Sequence, residues 1–318
     1  MKKFILNPFR MQGQGLGVIM GHLATAYSIS KSLNRKPVLH LDALEDTLFS
    51  LQQTQEDCPG HSEKKQSILD TFPNISKYFD IEKEIPSIAR PDNPSMIKFD
   101  NLCDTLHIAN FFKKSIASKN KILSIDAYAN RYCFEDDLDF IKDELFVFND
   151  KIIEKTKPYV EAGGKNSIAV SLRLEYYLNK KKNDISSEQL HHTPLSPQYY
   201  SEALKRFDQV KIPRGVTAFV FCDYPNESSD FIDKVFFANG TMALMGNKFN
   251  ASELLYIFSQ CKHAVLSNSA FAFWGAALNK NRRAKIICPI NYMSGGEGQF
   301  NPVNGRWYLP EWEALEQV

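Results

Sequence analysis

The sequence predicts an α/β protein made of two doubly wound, Rossmann-like domains facing each other across a cleft. Three observations carry this expectation. Short apolar runs of strand character alternate with helical stretches in both halves of the chain, residues 1–42 read strand, glycine turn, helix, strand, and the polar motifs that stand out follow directly on such apolar runs. Alternating β and α segments imply parallel strands covered by helices on both faces, and ligands in that architecture bind outside the carboxyl ends of the strands. A length of 318 residues suffices for two domains of ordinary size, each with its own core.

In chain order, Phe4-Ile5-Leu6 is the first strand, Gly13-Gln14-Gly15-Leu16-Gly17 a glycine turn, 19–33 a helix, and Pro37-Val38-Leu39-His40-Leu41 a second strand ending in Asp42. This is a βαβ opening. Pro59-Gly60, Pro73-Asn74, Pro86, Pro91 and Pro94 punctuate residues 43–120, which are expected to form helices and loops decorating the first domain. Ile122-Leu123-Ser124-Ile125 restores a strand, and Leu138, Ile141 and Leu145 lie on one face of the helix that follows. A helix near 151–160 and then Gly163-Gly164 mark the junction, so the domains are expected at 1–155 and 156–318. In the second half the strands are expected at 168–172, 218–221, 264–266 and 286–288, with helices at 197–207, 228–236, 252–261 and 270–278.

Apolar residues make up 43% of the chain, charged residues 24%, and the formal charge is +1. No global field holds nucleic acid, and basic pairs such as Lys113-Lys114 and Arg282-Arg283 are isolated along the sequence. Six cysteines without a C-x-x-C pair point to reduced thiols and a cytoplasmic setting. With no run of about 18 apolar residues, no transmembrane segment is expected, and peripheral membrane association is the contact left open.

The most informative stretch is 267–278, a small polar turn that closes the 264–266 strand and opens an apolar helix. Ser267, Asn268 and Ser269 are capping residues, and small side chains through Ala270 would let an anion reach the free N–H groups of the first helical turn. The plainer alternative is a capped helix whose Phe271, Phe273, Trp274 and Leu278 fill a core. Arg173 follows the 168–172 run, so its guanidinium leaves a strand end and could fork two phosphate oxygens. A surface pair with Glu175 is the alternative there, while Glu175 is itself a candidate to take a proton from an attacking hydroxyl. Gly15-Leu16-Gly17 with Gly21 and Asp42 approaches a dinucleotide fingerprint, but the third glycine falls one place late. Gly15 and Gly17 suggest close approach of backbone to a ligand or a facing domain, with a bare tight turn as the alternative, and His22 lies one turn into the helix, where it could reach the cleft or be structural. Asp137-Leu138-Asp139 opens a helix, where acids suit the dipole, and His191-His192 lacks partners at metal spacing, so no metal is expected.

Taken together, several segments resemble the bacterial α-1,2-fucosyltransferase family (glycosyltransferase family 11). Gln14 to Met20 is similar to its G-G-L-G-N-Q-M opening, Tyr128 to Phe134 to a Y-x-Q-x-x-Y-F segment, and Ser171 to Tyr177 stands where H-x-R-R-G-D-Y is found. Pro194 to Tyr200 resembles P-L-S-x-x-Y-Y, Phe221-Cys222-Asp223 the F-S-D strand end, and Asn268 to Gly275 the N-S-x-F-S-W-W-G motif. The resemblance implies a GT-B-like fold and an inverting, metal-independent transfer of L-fucose from GDP-fucose to a hydroxyl of a glycan acceptor, in surface polysaccharide synthesis. The first domain would serve the acceptor and the second the nucleotide sugar. Carried over, Arg173 binds the diphosphate, Ser267, Asn268, Ser269, Ala270 and Phe271 hold its other side, and Asp223 and Glu253 lie near the nucleoside. Gly15, Gly17 and His22 face donor or acceptor from the first domain, with Arg173, Glu175 and His22 as the catalytic candidates. Departures are Val18-Ile19 for Asn-Gln, Ser171 for His, Leu174 for the second Arg, and Glu175-Tyr176 for Gly-Asp. These keep open a different nucleotide sugar or a non-catalytic carbohydrate-binding relative, while Gly15-Leu16-Gly17 with Asp42 keeps open a nicotinamide-dependent oxidoreductase.

Overall fold

The computed structural model describes residues 3–6, 15–32, 34, 36–40, 67–82, 97–98, 122–126, 131–163, 166–174, 178, 194–207, 216–235, 237, 240–245, 249–290 and 307–316. They form two units that meet in sequence between Asp150 and Lys151.

In the first unit β1 (Lys3–Leu6), β2 (Lys36–His40), β3 (Asp80–Glu82), β4 (Ile97–Lys98) and β5 (Ile122–Asp126) form a parallel sheet in the order β3-β2-β1-β5-β4. Between β1 and β2 runs α1 (Leu16–Ser32), which starts three residues before its expected position because Leu16 and Gly17 already lie buried in its first turn. The Gly15 carbonyl accepts from Val18 N at 3.1 Å and Ile19 N at 3.2 Å, closing that turn. The 43–120 stretch corrects the sequence reading: besides short α2 (Ile68–Thr71) and α3 (Ile75–Tyr78), it contributes two strands of the sheet itself. At three and two residues these strands are too short for alternation to register. Further on, α4 (Leu138–Phe140) runs into a π-helical turn at Ile141–Leu145 that buries Ile141 and Leu145 completely, while Asp137 pairs with Lys31 of α1.

The second unit begins in α5 (Asp150–Gly163) and is organised by β6 (Ser167–Leu172), β7 (Val216–Cys222), β8 (Gly240–Leu244), β9 (His263–Val265), β10 (Ile286–Pro289) and β11 (Glu313–Leu315). All pairings are parallel, in the order β11-β10-β9-β6-β7-β8. The chain enters mid-sheet at β6, works outward to β8, then returns to β9 on the other side of β6 and works outward again. This is the doubly wound order, and the reversal falls between β6 and β9. Every residue of β6, including Ser167 and Ser171, is buried, as expected for a central strand covered on both faces. The edge strands β8 and β11 are half-exposed and were not read from the sequence. β8 starts on Gly240 because a Cβ there would lie 1.9 Å from the Val216 carbonyl oxygen of β7. Helices α6 (Pro197–Lys205), α7 (Ser229–Ile232), α8 (Ala251–Gln260) and α9 (Ala270–Ala277) complete the alternation.

α8 and α9 pack at a glycine. A Cβ on Gly275 would sit 2.4 Å from Cδ1 of Phe258, whose ring is 1% exposed and packs on Phe221 at 4.9 Å and Phe271 at 6.3 Å between centroids. The buried ring has nowhere to retreat, so Gly275→Ala is expected to destabilise the protein by about 1–3 kcal/mol, measured as a shift in the urea midpoint.

At the start of β9, His263 is 2% exposed and accepts at Nδ1 from the Lys285 backbone N–H at 2.9 Å. Burial first, then the charges of Lys262 and Lys285, lower its pKa to about 4. The unfolded chain takes up this proton near pH 6.5, whereas the folded chain refuses it until about pH 4. The contribution of neutral His263 is thus complete above 6.5 and lost as pH falls toward 4, to an extent of roughly 3 kcal/mol. His263→Gln is expected to flatten the decline in stability between pH 7 and 4, read from urea unfolding at stepped pH.

Candidate functional site

The reversal between β6 and β9 places two loop starts side by side, and the marked residues of the second unit gather there. β6 runs into Arg173, half-buried, and Leu174, which is buried. β9 runs through Leu266 into Ser267 and Asn268, both buried, then into the partly exposed Ser269 and Ala270, with Phe271 buried beneath.

Side chains lock these loops from below. Ser171 near the end of β6 and Ser267 share a buried hydroxyl hydrogen bond of 2.8 Å, which ties the two strand ends directly. Ser196 caps α6 at the Tyr199 N–H, and the buried Tyr199 hydroxyl donates 2.8 Å to the Leu266 carbonyl. Asp223, beyond the end of β7, accepts from the Leu174 N–H at 2.7 Å and so holds the loop after β6 against its other neighbour. Burial raises the phenol pKa of Tyr200 well above its ordinary value, and the backbone N–H of Arg173 donates to its oxygen. The Arg173 backbone is therefore anchored just beyond the end of β6.

Above these anchors, the turn is open in the chemical sense an anion needs. Ser269 N–H donates 2.9 Å to the Ser267 carbonyl, and the Ser269 carbonyl accepts from Phe273 N–H at 2.9 Å to start α9. Ser269 occupies the cap position in an extended conformation, yet its hydroxyl makes no cap hydrogen bond, and the first turn of α9 contains no acidic residue. Its leading amides are thus neither capped by that side chain nor faced by a carboxylate of their own turn.

The structure therefore brings Arg173, Asp223, Ser267, Asn268, Ser269, Ala270 and Phe271 together at the carboxyl ends of β6, β7 and β9. Glu253 is placed differently. It is the third residue of α8, 5% exposed, with Oε2 accepting from Asn250 N at 3.1 Å in a capping box and Oε1 paired to Lys155 Nζ at 2.7 Å. Gly15, Gly17 and His22 belong to the first unit; His22 is 5% exposed in α1, and a Cβ on Gly15 would meet nothing within 4 Å. Glu175 lies outside the described residues. Among the described residues no group of three His, Cys, Asp or Glu is arranged to hold a metal ion. Sequence reasoning noted Ser171 only as a departure and Tyr199 only as part of a motif, and the roles of both depend on partners about 70–100 positions away.

The two parallel α/β units have a GT-B-like fold, shared with solved structures described below. Residues 141–316 match glycosyl transferase family 11, and the chain belongs to that family. Among solved structures, fucosyltransferase NodZ from Bradyrhizobium is similar over 87% of this chain and 92% of its own, at 13% identity and a TM-score of 0.54. NodZ α-1,6-fucosyltransferase soaked with GDP-fucose is similar over 87% and 93%, at 14% identity and a TM-score of 0.53. At these identities the likeness is one of fold. A comparison with curated proteins finds no match.

The Ser171–Ser267 bond makes a direct forecast. Ser171→Ala leaves a buried hydroxyl without its partner and is expected to cost about 1–3 kcal/mol. Ser171→Ala/Ser267→Ala together should cost less than the sum of the single changes, the coupling being read from a double-mutant cycle in urea.

Proposed function

We propose that this protein is an inverting glycosyltransferase that moves L-fucose from GDP-fucose to a hydroxyl of a glycan acceptor, in an α-1,2 linkage, as a cytoplasmic step of bacterial surface polysaccharide synthesis. In this reading residues 1–155 serve the acceptor and residues 156–318 hold the donor. The observation that carries it is the placement of Arg173 beside the 267–271 turn at the β6–β9 switch point. Membership of glycosyl transferase family 11 and a fold shared with NodZ, which has been soaked with GDP-fucose, support the choice of donor.

The acceptor oxygen attacks the anomeric carbon from the face opposite the diphosphate, the bond from that carbon to the phosphate oxygen breaks, and the acceptor proton passes to a base. Glu175 and His22 are the two candidates for that base. Positive charge develops on the sugar while negative charge moves onto the leaving nucleoside diphosphate. Arg173 takes part of that charge through two parallel N–H bonds, and the amides of Ala270 and Phe271 take the rest at the dipole end of α9. A guanidinium and backbone amides supply here the neutralisation that a divalent cation supplies elsewhere. Ser267, Asn268 and Ser269 shape the turn, Asp223 fixes the loop carrying Arg173, and Glu253 positions the start of α8 next to the nucleoside.

Two measurements test this. In a thermal-shift panel of GDP, UDP, ADP and CMP, GDP at a hundredfold excess over its Kd should add about 2.7 kcal/mol of stability, and stabilisation by another base instead would overturn the donor assignment. Arg173→Ala should lower kcat by about 10²–10³, roughly 3–4 kcal/mol of transition-state stabilisation, with EDTA leaving wild-type turnover unchanged. Retention of turnover within about threefold would remove Arg173 from the reaction.

A further inference from the structure

The opposite end of the second sheet carries a feature that the transfer reaction does not use. Three loops lead out of helix carboxyl ends there: 206–207 after α6, 261–262 after α8, and 279–285 between α9 and β10. Hydrogen bonds join them into one surface. Asn279 Nδ2 donates to the Cys261 carbonyl at 2.6 Å, Asn281 Nδ2 to the Lys262 carbonyl at 3.1 Å, and Lys285 Nζ to the Arg206 carbonyl at 3.1 Å.

This surface is strongly basic. Lys205, Arg206, Lys280, Arg282 and Arg283 are exposed, with Lys262 and Lys285 half-buried beside them. Glu202 pairs with Lys205 at 2.6 Å, and Glu313 with Lys285 at 3.1 Å and Arg206 at 3.8 Å. Glu202 and Glu313 thus engage Lys205, Arg206 and Lys285, while Arg282 and Arg283 stand exposed beside them, in a chain whose formal charge is only +1. The Arg282-Arg283 pair, isolated along the sequence, is brought by the fold onto the same face as these cations.

We propose that this face is a docking surface for an anionic lipid bilayer. A cluster of four to eight Lys and Arg is the usual footprint for attraction to acidic headgroups, and long side chains on a loop surface can each reach a headgroup without a shaped pocket. Recognition of nucleic acid fits less well. The ring systems of the face, Phe207 and His263, are buried at 2% exposure with Lys285 Nζ 5.7 Å from the Phe207 centroid, so they offer no base-stacking platform, and the helices present carboxyl rather than amino ends. Because the face lies at the amino ends of the strands, docking leaves the Arg173 end of the unit open.

The test is co-sedimentation of the full chain with vesicles of phosphatidylcholine alone or containing 30% phosphatidylglycerol, at 50 and 500 mM NaCl. The protein is expected to partition onto the anionic vesicles at low salt and to release at high salt. Each basic residue contributes about fivefold in partitioning, so Arg282→Gln/Arg283→Gln should weaken it about 25-fold, and Arg282→Glu/Arg283→Glu further, with unchanged thermal stability. Equal binding to both vesicle types, no binding to either, or binding unaffected by these changes would overturn the proposal. So would displacement of the protein from anionic vesicles by equimolar single-stranded RNA, which would make the face a nucleic-acid site.

Discussion

Reversal of strand order between β6 and β9 is the constraint on which the rest of the second unit depends. Two adjacent parallel strands whose following helices pass to opposite faces of the sheet leave a crevice at their carboxyl ends that neither helix fills. A crevice at the end of a packed sheet is a place where polar groups can be held in fixed positions without being buried under other elements. Here the β6–β9 backbone ladder is continued at the strand ends by a buried hydroxyl pair, Ser171 and Ser267, whose 2.8 Å hydrogen bond ties the loop after β6 to the turn before α9.

Several polar side chains near the strand ends, and Glu253 at the start of α8, fix backbone. Asp223, Tyr199, Ser171 and Glu253 are engaged with protein partners, and each immobilises a segment that carries something else. This matters for charge stabilisation: a donor already aimed at its target does not need to reorganise when charge develops. The glycine contact at Gly275 extends the same logic downward. Phe258 presses on the α9 backbone and touches Phe271, so the helix bearing the open turn is seated by apolar packing rather than by its own cap.

Much of this was legible in the sequence, and the limits have physical causes. Buried parallel strands such as β6 and β9 read clearly because both faces are apolar, and the small polar residues of 267–269 stood out against Val265-Leu266 on one side and Phe271 on the other. Edge strands β3, β8 and β11 escaped because three to five half-exposed residues carry no periodic signal, and β4 because it is two residues long. Asn250 and Glu253 three residues later spell a capping box, a local signature that the sequence also carries. The Ser171–Ser267 pair and the basic face could not have been found that way, since both arise from contacts between segments brought together only by sheet order.

The polarity of the winding also explains why one end of this sheet suits an anionic ligand and the other collects cations. Every crossover helix runs antiparallel to the strands, so helix amino ends gather at the strands' carboxyl ends and helix carboxyl ends gather opposite. The dipoles favour negative charge at the first end and positive charge at the second, by about 0.3–1 kcal/mol per group within a terminal turn. That effect accounts for Lys205, in the last turn of α6, as part of the fold. It does not account for Arg282 and Arg283, which stand five and six positions beyond the end of α9 and remain exposed. Their positive charge is in excess of what the helices call for, and it is this excess, rather than the cations at helix ends, that a second ligand at this face would use.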